Sequence, residues 1–430
     1  MFIPKKEMKN LLLINVGKLI TAVSRSLNLG HGSTWPGHIA LNLNRNFVKD
    51  LILGSGLKII LIAGTNGKTT TSKLLQSILE KDSKKVILNE SGANLLNGIA
   101  SALILNTNIF GKIKKNFAIF ETDENTLPQV LKEFTPDILV LLNLFRDQLD
   151  RYGEVNTIAS KWKLAIDKLP KKTKIILNAN DPLIACLASE KNPLYFGLEE
   201  NSNLTHIQDW ADSVFCPKCN SKLEFEKIYF SHIGIWQCKN CGLKTPNLNI
   251  KTSYYPLLGI YNKYNTLAAV LAAKILGISE NIIDSALKNF NPAFGRQEKI
   301  KIDGKNIQIF LSKNPTGFNE SLRTVSNGKS LLLALNDRIP DGRDVSWIWD
   351  VDFENLIKNF SSIVVSGDRA YDLALRLKYA SFKKFEVIEN LEKAIKKALE
   401  NTPQNQTLYI LPTYSAMLET RKILTGKKIL

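Results

Sequence analysis

Short apolar runs alternate with segments of helical period along most of the chain. Between residues 57 and 182, "LKIILIAG", "NFAIFET", "PDILVLLNL" and "TKIILNAN" read as buried strands, and "KTTTSKLLQSILE" reads as a helix. That alternation predicts a parallel α/β sheet. A cysteine-bearing segment interrupts it, and "NKYNTLAAVLAAKILGI" then restores a helix with apolar residues three and four apart. A second alternation begins near Lys301, with "NIQIFLS", "SLLLALN", "SSIVVSG" and "QTLYILPT" as strands and "NLEKAIKKALE" as a helix. The pattern predicts a central domain at 57–300, interrupted at about 205–250, and a smaller α/β domain at 301–430 that starts after "NPAFGRQEKI".

Residues 1–56 are expected to be an N-terminal helix and loop packed on the central domain. Leu12, Val16, Leu19, Ile20, Val23 and Leu27 recur at helical spacing, so the predicted helix is amphipathic, with its apolar face in the core. "LGHGSTWPGHIAL" is rich in Gly and Pro and is expected to be a loop. Lys18 and Arg25 interrupt the apolar run, and no stretch of about 18 apolar residues exists to span a membrane.

Composition alters this picture little. The 430 residues are 44% hydrophobic and 23% charged, as in soluble globular proteins. The 57 basic and 40 acidic residues leave a formal charge of +17, which favours an anionic partner without choosing among nucleic acid, phosphate-rich substrate and membrane. Five cysteines in no disulfide-like pattern fit a reducing, cytoplasmic setting.

Candidate chemistry starts at "IAGTNGKTTT", which follows a strand and opens a helix. Backbone amides of Gly64, Thr65, Asn66 and Gly67 and the helix end suit a polyphosphate. Lys68 would neutralise it, and Thr69, followed by Thr70, would ligate Mg²⁺. The loop is two residues shorter than GxxxxGK[ST]. "CPKCNSKLEFEKIYFSHIGIWQCKNC" carries the second signal: Cys216, Cys219, Cys238 and Cys241 have the C-x₂-C-x₁₈-C-x₂-C spacing of a zinc ribbon. Four thiolates leave no position for water, so the expected zinc is a structural clip for an insertion with little core of its own. Phe215, Tyr229 and Trp236 would fill that core rather than stack bases.

The shortened loop resembles that of the Mur ligase superfamily, which includes folylpolyglutamate synthases. Glu121 in "FETDE" stands where these enzymes keep a magnesium ligand, and "LLNLFRDQLDRYGEV" and "ILNANDP" match further family strings. Asn262 and Asn265 in "GIYNKYNTLAA" fall on the family's adenine-side helix, and Arg296 in "FGRQE" on its hinge. Gln148 replaces a metal-binding histidine, and Lys161 and Lys163 lie in the region of a modified lysine. "LSKNPTG" stands in place of an amino-acid-binding motif, which implies a smaller nucleophile. The stretch before the loop is also too short for the usual domain that grips a soluble uridine nucleotide.

"LALNDRIPDGRDVSWIWDVDFE" and "SGDRAYDLALRLKYA" are similar to the C-terminal domain of the MurT family, the ligase subunits of lipid II isoglutaminyl synthase, and "GHGSTWPGHIAL" and the four-cysteine insertion agree. The resemblance implies an α/β Mur-ligase-like P-loop domain with parallel sheet, an inserted four-cysteine zinc ribbon and a smaller C-terminal domain. It implies ATP, Mg²⁺ and Zn²⁺, and amidation of the D-glutamyl α-carboxylate of lipid II at the cytoplasmic membrane face. Arg296 and Asp337 would hold nucleotide or intermediate on closure. Ammonia would come from a GatD-type glutamine amidotransferase, because Cys186 reads as a core helix position and no histidine has a nucleophile-like context. Asp350, in "SWIWDVDFE", is expected to orient the histidine of that partner's Cys–His dyad. Two other readings are a folylpolyglutamate-type ligase and a zinc-ribbon nucleic-acid-binding ATPase. The lost amino-acid motif argues against the first, and the FGRQE hinge without helicase-like motifs against the second, so no nucleic acid is expected as a partner.

Overall fold

The computed structural model describes residues 5–26, 34–89, 93–146, 155–200, 211–252, 254–292 and 295–426. The central domain is built on a six-stranded parallel sheet ordered β2-β3-β1-β4-β5-β6. Its strands are β1 (Lys58–Ala63), β2 (Val86–Leu88), β3 (Phe117–Thr122), β4 (Ile138–Leu141), β5 (Lys174–Asn178) and β6 (Leu194–Phe196). Strand side chains alternate between faces. Ile59, Leu61 and Ala63 of β1 join a core shared with the N-terminal helices, and Ile60 and Ile62 face helices Lys68–Lys81 and Ile260–Ile275. Both faces are covered, which explains why these strands read as unbroken apolar runs.

Among the described residues, three helices precede β1: Lys5–Ser26, Trp35–Leu43 and Phe47–Leu53. The second lies in "WPGHIAL", where a loop was expected. Pro36 is in its first turn, where a missing N–H costs nothing. Gly37 is where this helix meets helix Leu96–Asn106: its N–H donates to Ser101 Oγ at 2.9 Å, and a Cβ would lie 1.9 Å from Asn97 O. The first helix also forms, but most of its expected face is exposed; Ile20 is half-buried, and Leu27 lies outside the described residues. Leu12, Val16, Leu19 and Val23 point outward, and Asn10, Leu13, Ile14, Gly17 and Thr21 are buried. Small and polar residues let this helix approach its neighbours closely, and that contact outweighs hydropathy.

The second sheet is ordered β13-β12-β11-β14-β10-β9. It comprises β9 (Arg296–Ile302), β10 (Lys305–Phe310), β11 (Ser330–Ala334), β12 (Ser362–Ser366), β13 (Phe385–Val387) and β14 (Thr407–Pro412). Only β9 is antiparallel, pairing with β10. The junction expected at 300/301 therefore falls inside β9, and the second sheet starts at Arg296. The cysteine segment, described from residue 211, forms the hairpin β7 (Glu224–Phe230) and β8 (Ile233–Gln237).

Candidate active site

Strands β2 and β3 are added on one side of β1 and β4 to β6 on the other, so the carboxyl ends of β3, β1 and β4 flank a switch in strand order, the usual ligand position in such sheets. The loop Gly64–Gly67 leaves β1 there and is held from β4's side. Asn143 accepts from Thr65 N on its carbonyl (3.0 Å) and from Asn66 N on Oδ1 (2.9 Å), and its Nδ2 donates to Asn66 O at 3.0 Å. Phe145 N donates to Thr65 Oγ1 at 3.0 Å. Asn143 and Phe145 are site residues that motif reading missed; the strand ending in Asn was the available signal. Gly67 precedes helix Lys68–Lys81 at φ 90°, and a Cβ there would lie 2.0 Å from Asn265 Oδ1. Only glycine suits both the conformation and the contact.

That helix has no side-chain cap, so its first amides, including those of Lys68, Thr69 and Thr70, lack intrahelical acceptors. Lys68 is buried, donates from Nζ to Gly64 O and, at 3.2 Å, to Thr65 O, and lies 3.8 Å from Glu124. Thr69 Oγ1 donates to Glu121 Oε2 at 2.7 Å and accepts from Arg296 Nη2 at 3.1 Å. Burial raises the Glu121 pKa, against the pull of the Thr69 hydroxyl, Arg296, Lys68 and Lys73. Burial also lowers the Arg296 pKa, which Glu121 opposes. Among the described residues, the buried Nδ2 of Asn66 donates to nothing. Free amides, an ammonium and an orphaned donor fit a polyphosphate, and the Thr69 hydroxyl beside a carboxylate fits its Mg²⁺.

Asn262 and Asn265 are buried and bonded to each other at 3.0 Å; Asn262 Nδ2 donates to Leu258 O, and Asn265 packs on Gly67. They join helix Ile260–Ile275 to the phosphate loop. From the C-terminal domain, Asn314 Nδ2 donates to Asn66 Oδ1 at 3.0 Å. This residue, the Asn of "LSKNPTG", caps helix Pro315–Val325 and was not singled out in the sequence. Asp337 follows β11 and pairs with Arg369 at 3.1 Å, with no bond to the phosphate loop. Asp350 ends a 3-10 turn beside exposed Trp349, whose ring lies 5.2 Å from that of Tyr379. Lys161 and Lys163 are exposed on helix Val155–Ile166, and Gln148 lies outside the described residues.

The cysteine knuckles repeat one turn. Asn220 N donates to Cys216 O and Gly242 N to Cys238 O, and both donors have left-handed backbones. The four sulfurs lie within 4.8 Å of one another. The closest pairs, at 3.4 and 3.6 Å, approach the ~3.8 Å edge of a tetrahedron with Zn–S near 2.3 Å. This donor set fits zinc. Around it lies a small core of Ala185, Leu223 and Trp236. Of the three aromatics expected to fill this core only Trp236 does so; Tyr229 is buried in the central-domain core, and Phe215 is exposed. Cys186 is half-buried against this cluster, where burial chiefly pushes its thiol up to about 12. It is a thiol at neutral pH, and so a poor nucleophile.

The Mur ligase middle domain model matches residues 62–273, and the MurT ligase C-terminal model matches 311–417. The lipid II isoglutaminyl synthase (glutamine-hydrolyzing) subunit MurT of Streptococcus pneumoniae strain R6 is 33% identical, over 93% of this chain and 94% of its own. The same subunit of Staphylococcus aureus strain COL is 34% identical, over 94% and 95%. In fold, the chain is similar to a pseudomurein peptide ligase type C from Methanothermus fervidus (TM-score 0.67, 23% identity, 88% of this chain and 80% of that one). It is also similar to MurF ligase from Thermotoga maritima in complex with ADP (TM-score 0.63, 15% identity, 90% and 84%). Two family models and relatives alike over nearly their whole length agree: the chain belongs to the MurT family of Mur-type ligases.

Proposed function

We propose that this chain is the synthetase subunit of a lipid II isoglutaminyl synthase, amidating the D-glutamyl α-carboxylate of the stem peptide to D-isoglutamine. The carboxylate attacks the γ-phosphorus of ATP, and ADP leaves. Ammonia then adds to the acyl carbon of the acyl phosphate, the C–O bond to phosphate breaks, and the nitrogen loses a proton. The observation that carries this reading is the near-full-length kinship with subunits bearing that name.

The residues have distinct tasks. Lys68 and the loop amides bind the triphosphate and offset charge that builds on the transferring phosphoryl group. Thr69 and Glu121 hold Mg²⁺, which when bound screens the phosphate charge. Asn262 and Asn265 set the adenine-side helix against the loop. Arg296 and Asn314 reach the loop from the C-terminal domain, supporting a site completed by domain closure, with Asp337 on the same domain as a further nucleotide or intermediate ligand. Zinc on Cys216, Cys219, Cys238 and Cys241 clips the ribbon.

A GatD-type glutamine amidotransferase supplies the ammonia. Trp349, Tyr371, Leu375 and Tyr379 are exposed together next to Asp350, which supports docking of that partner there and delivery of Asp350 to its histidine. The complex works on the cytoplasmic membrane face: reduced thiols suit that compartment, and no described helix is long and apolar enough to cross a membrane.

Mass spectrometry of lipid II tests this reading after incubation with the chain, ATP, Mg²⁺ and an ammonium salt. One hydroxyl should be replaced by an amino group, and Lys68→Ala should abolish the change. Unchanged lipid II, even with the amidotransferase and glutamine added, would overturn it.

A further inference from the structure

The N-terminal helix Lys5–Ser26 buries Leu13 and Ile14 in the core yet exposes a second apolar side. Met8, Leu12, Val16, Leu19 and Val23, three and four residues apart, form one stripe, each 37–64% exposed. The opposite face holds Gly17 against Pro36 and Ile104, and Asn10 bonded to Asp50 and Asn44. A helix in water shows the reverse arrangement. The stripe continues onto a neighbouring loop, where Ile109 and Phe110 are exposed (59% and 74%) and Asn15 Nδ2 donates to Ile109 O at 3.3 Å.

Charge identifies what covers this surface. Residues 1–56 carry seven Lys or Arg against two acids, Glu7 and Asp50, and Asp50 is occupied by Asn10 and Asn44. Lys9 on the same helix and Lys112 and Lys114 next to the Ile109–Phe110 loop are exposed, as are Arg45 and Lys49 in the same N-terminal region. A long apolar stripe within a basic surround matches a helix lying flat in the headgroup region of an anionic bilayer. A protein partner would need an acidic rim around an apolar groove, whereas an anionic lipid surface supplies both requirements over any area.

We propose that the outward face of helix Lys5–Ser26, with the Ile109–Phe110 loop, is a docking face for an anionic phospholipid surface. It rests on the proposed function only in that a lipid-linked substrate lies in the same plane.

Flotation of the full-length chain with vesicles tests it without lipid II. The chain should float with phosphatidylglycerol–phosphatidylcholine vesicles, at least about tenfold less with phosphatidylcholine alone, and less as salt rises. Leu12→Glu/Leu19→Glu should reduce flotation about tenfold or more, with unchanged circular dichroism because both positions face solvent. Lys112→Glu/Lys114→Glu should also weaken it while leaving the helix untouched. Failure of the parent chain to float would overturn the proposal. So would flotation of both variants at the parent level, or a solution dimer that the leucine substitutions break. Amidation measured separately on detergent-solubilised lipid II keeps the two readings apart: flotation without amidation sinks the function, and amidation without flotation sinks the docking face.

Discussion

Glu121 accepts the Thr69 hydroxyl and sits near Arg296 and Lys68, yet burial still holds its pKa above the ordinary value of 4.5. Its folded-state pKa exceeds the unfolded one. The related stability is thus fully present below the unfolded value and is lost as pH rises through the folded one. At neutral pH that contribution is reduced, so burying this carboxyl group destabilises the nucleotide-free chain. Glu121→Gln should raise Tm by ~2 °C at neutral pH, with the gain shrinking toward acid, while ATP turnover falls about 100-fold or more. Scanning fluorimetry across pH, paired with phosphate release, checks both signs; a variant less stable at neutral pH would contradict this account. Lys68 and Thr69 were legible because a phosphate loop needs those groups at that spacing, and Glu121 only through the resemblance of "FETDE" to the Mur ligases. Asn314 was not, because its amide acquires meaning only from the Asn66 it faces across the domains, and Asn143 had only its place at the end of a strand as a signal.

Among the elements, strands and long helices followed apolar periodicity, but the faces of helices did not always do so. In helix Lys5–Ser26, Gly17 faces inward because a Cβ there would lie 3.0–3.2 Å from the side chains of Ile104 and Pro36, and buried Thr21 donates its hydroxyl to Gly17 O. Hydropathy carries no record of that distance. The cysteine hairpin is the opposite case, since ligand spacing alone identified it. Its own core is small, although Tyr229, Phe230 and Ile233 also pack into the central-domain core, and a metal on the cysteines would add to its order. Cys238→Ser should reduce bound zinc and lower Tm by about 5 °C, with hydrogen exchange quickening first in β7 and β8. Zinc loss with unchanged exchange in the hairpin would remove the clip role.

Across the whole molecule, the two sheets meet at the phosphate loop. Arg296 and Asn314 cross to Thr69 and Asn66, and Gln297 exchanges two bonds with the Leu258 backbone at 2.7 and 3.0 Å. Gln297 is a non-glycine residue at φ 63°, a conformation kept only where surroundings enforce it, here the hinge itself. Asp350 lies on the far domain in a surface turn and bonds through its carbonyl to Asn319. If it serves the partner's histidine, Asp350→Asn should cut glutamine-dependent amidation about 100-fold or more while ammonia-dependent amidation stays intact. Equal rates with glutamine for variant and parent would dismiss that role.

The sequence by itself determined the two α/β halves, the phosphate loop and the cysteine cluster. Those features depend on local spacing: strand period, the turn a polyphosphate needs, and the reach of two knuckles to one ion. Tertiary structure alone decided that β9 belongs to the second sheet, that "WPGHIAL" is helical, and that Asn314 reaches the loop. It also decided that the N-terminal helix turns its apolar stripe to solvent. These outcomes depend on contacts between residues far apart in the chain, where close approach and buried hydrogen bonds outweigh local propensity.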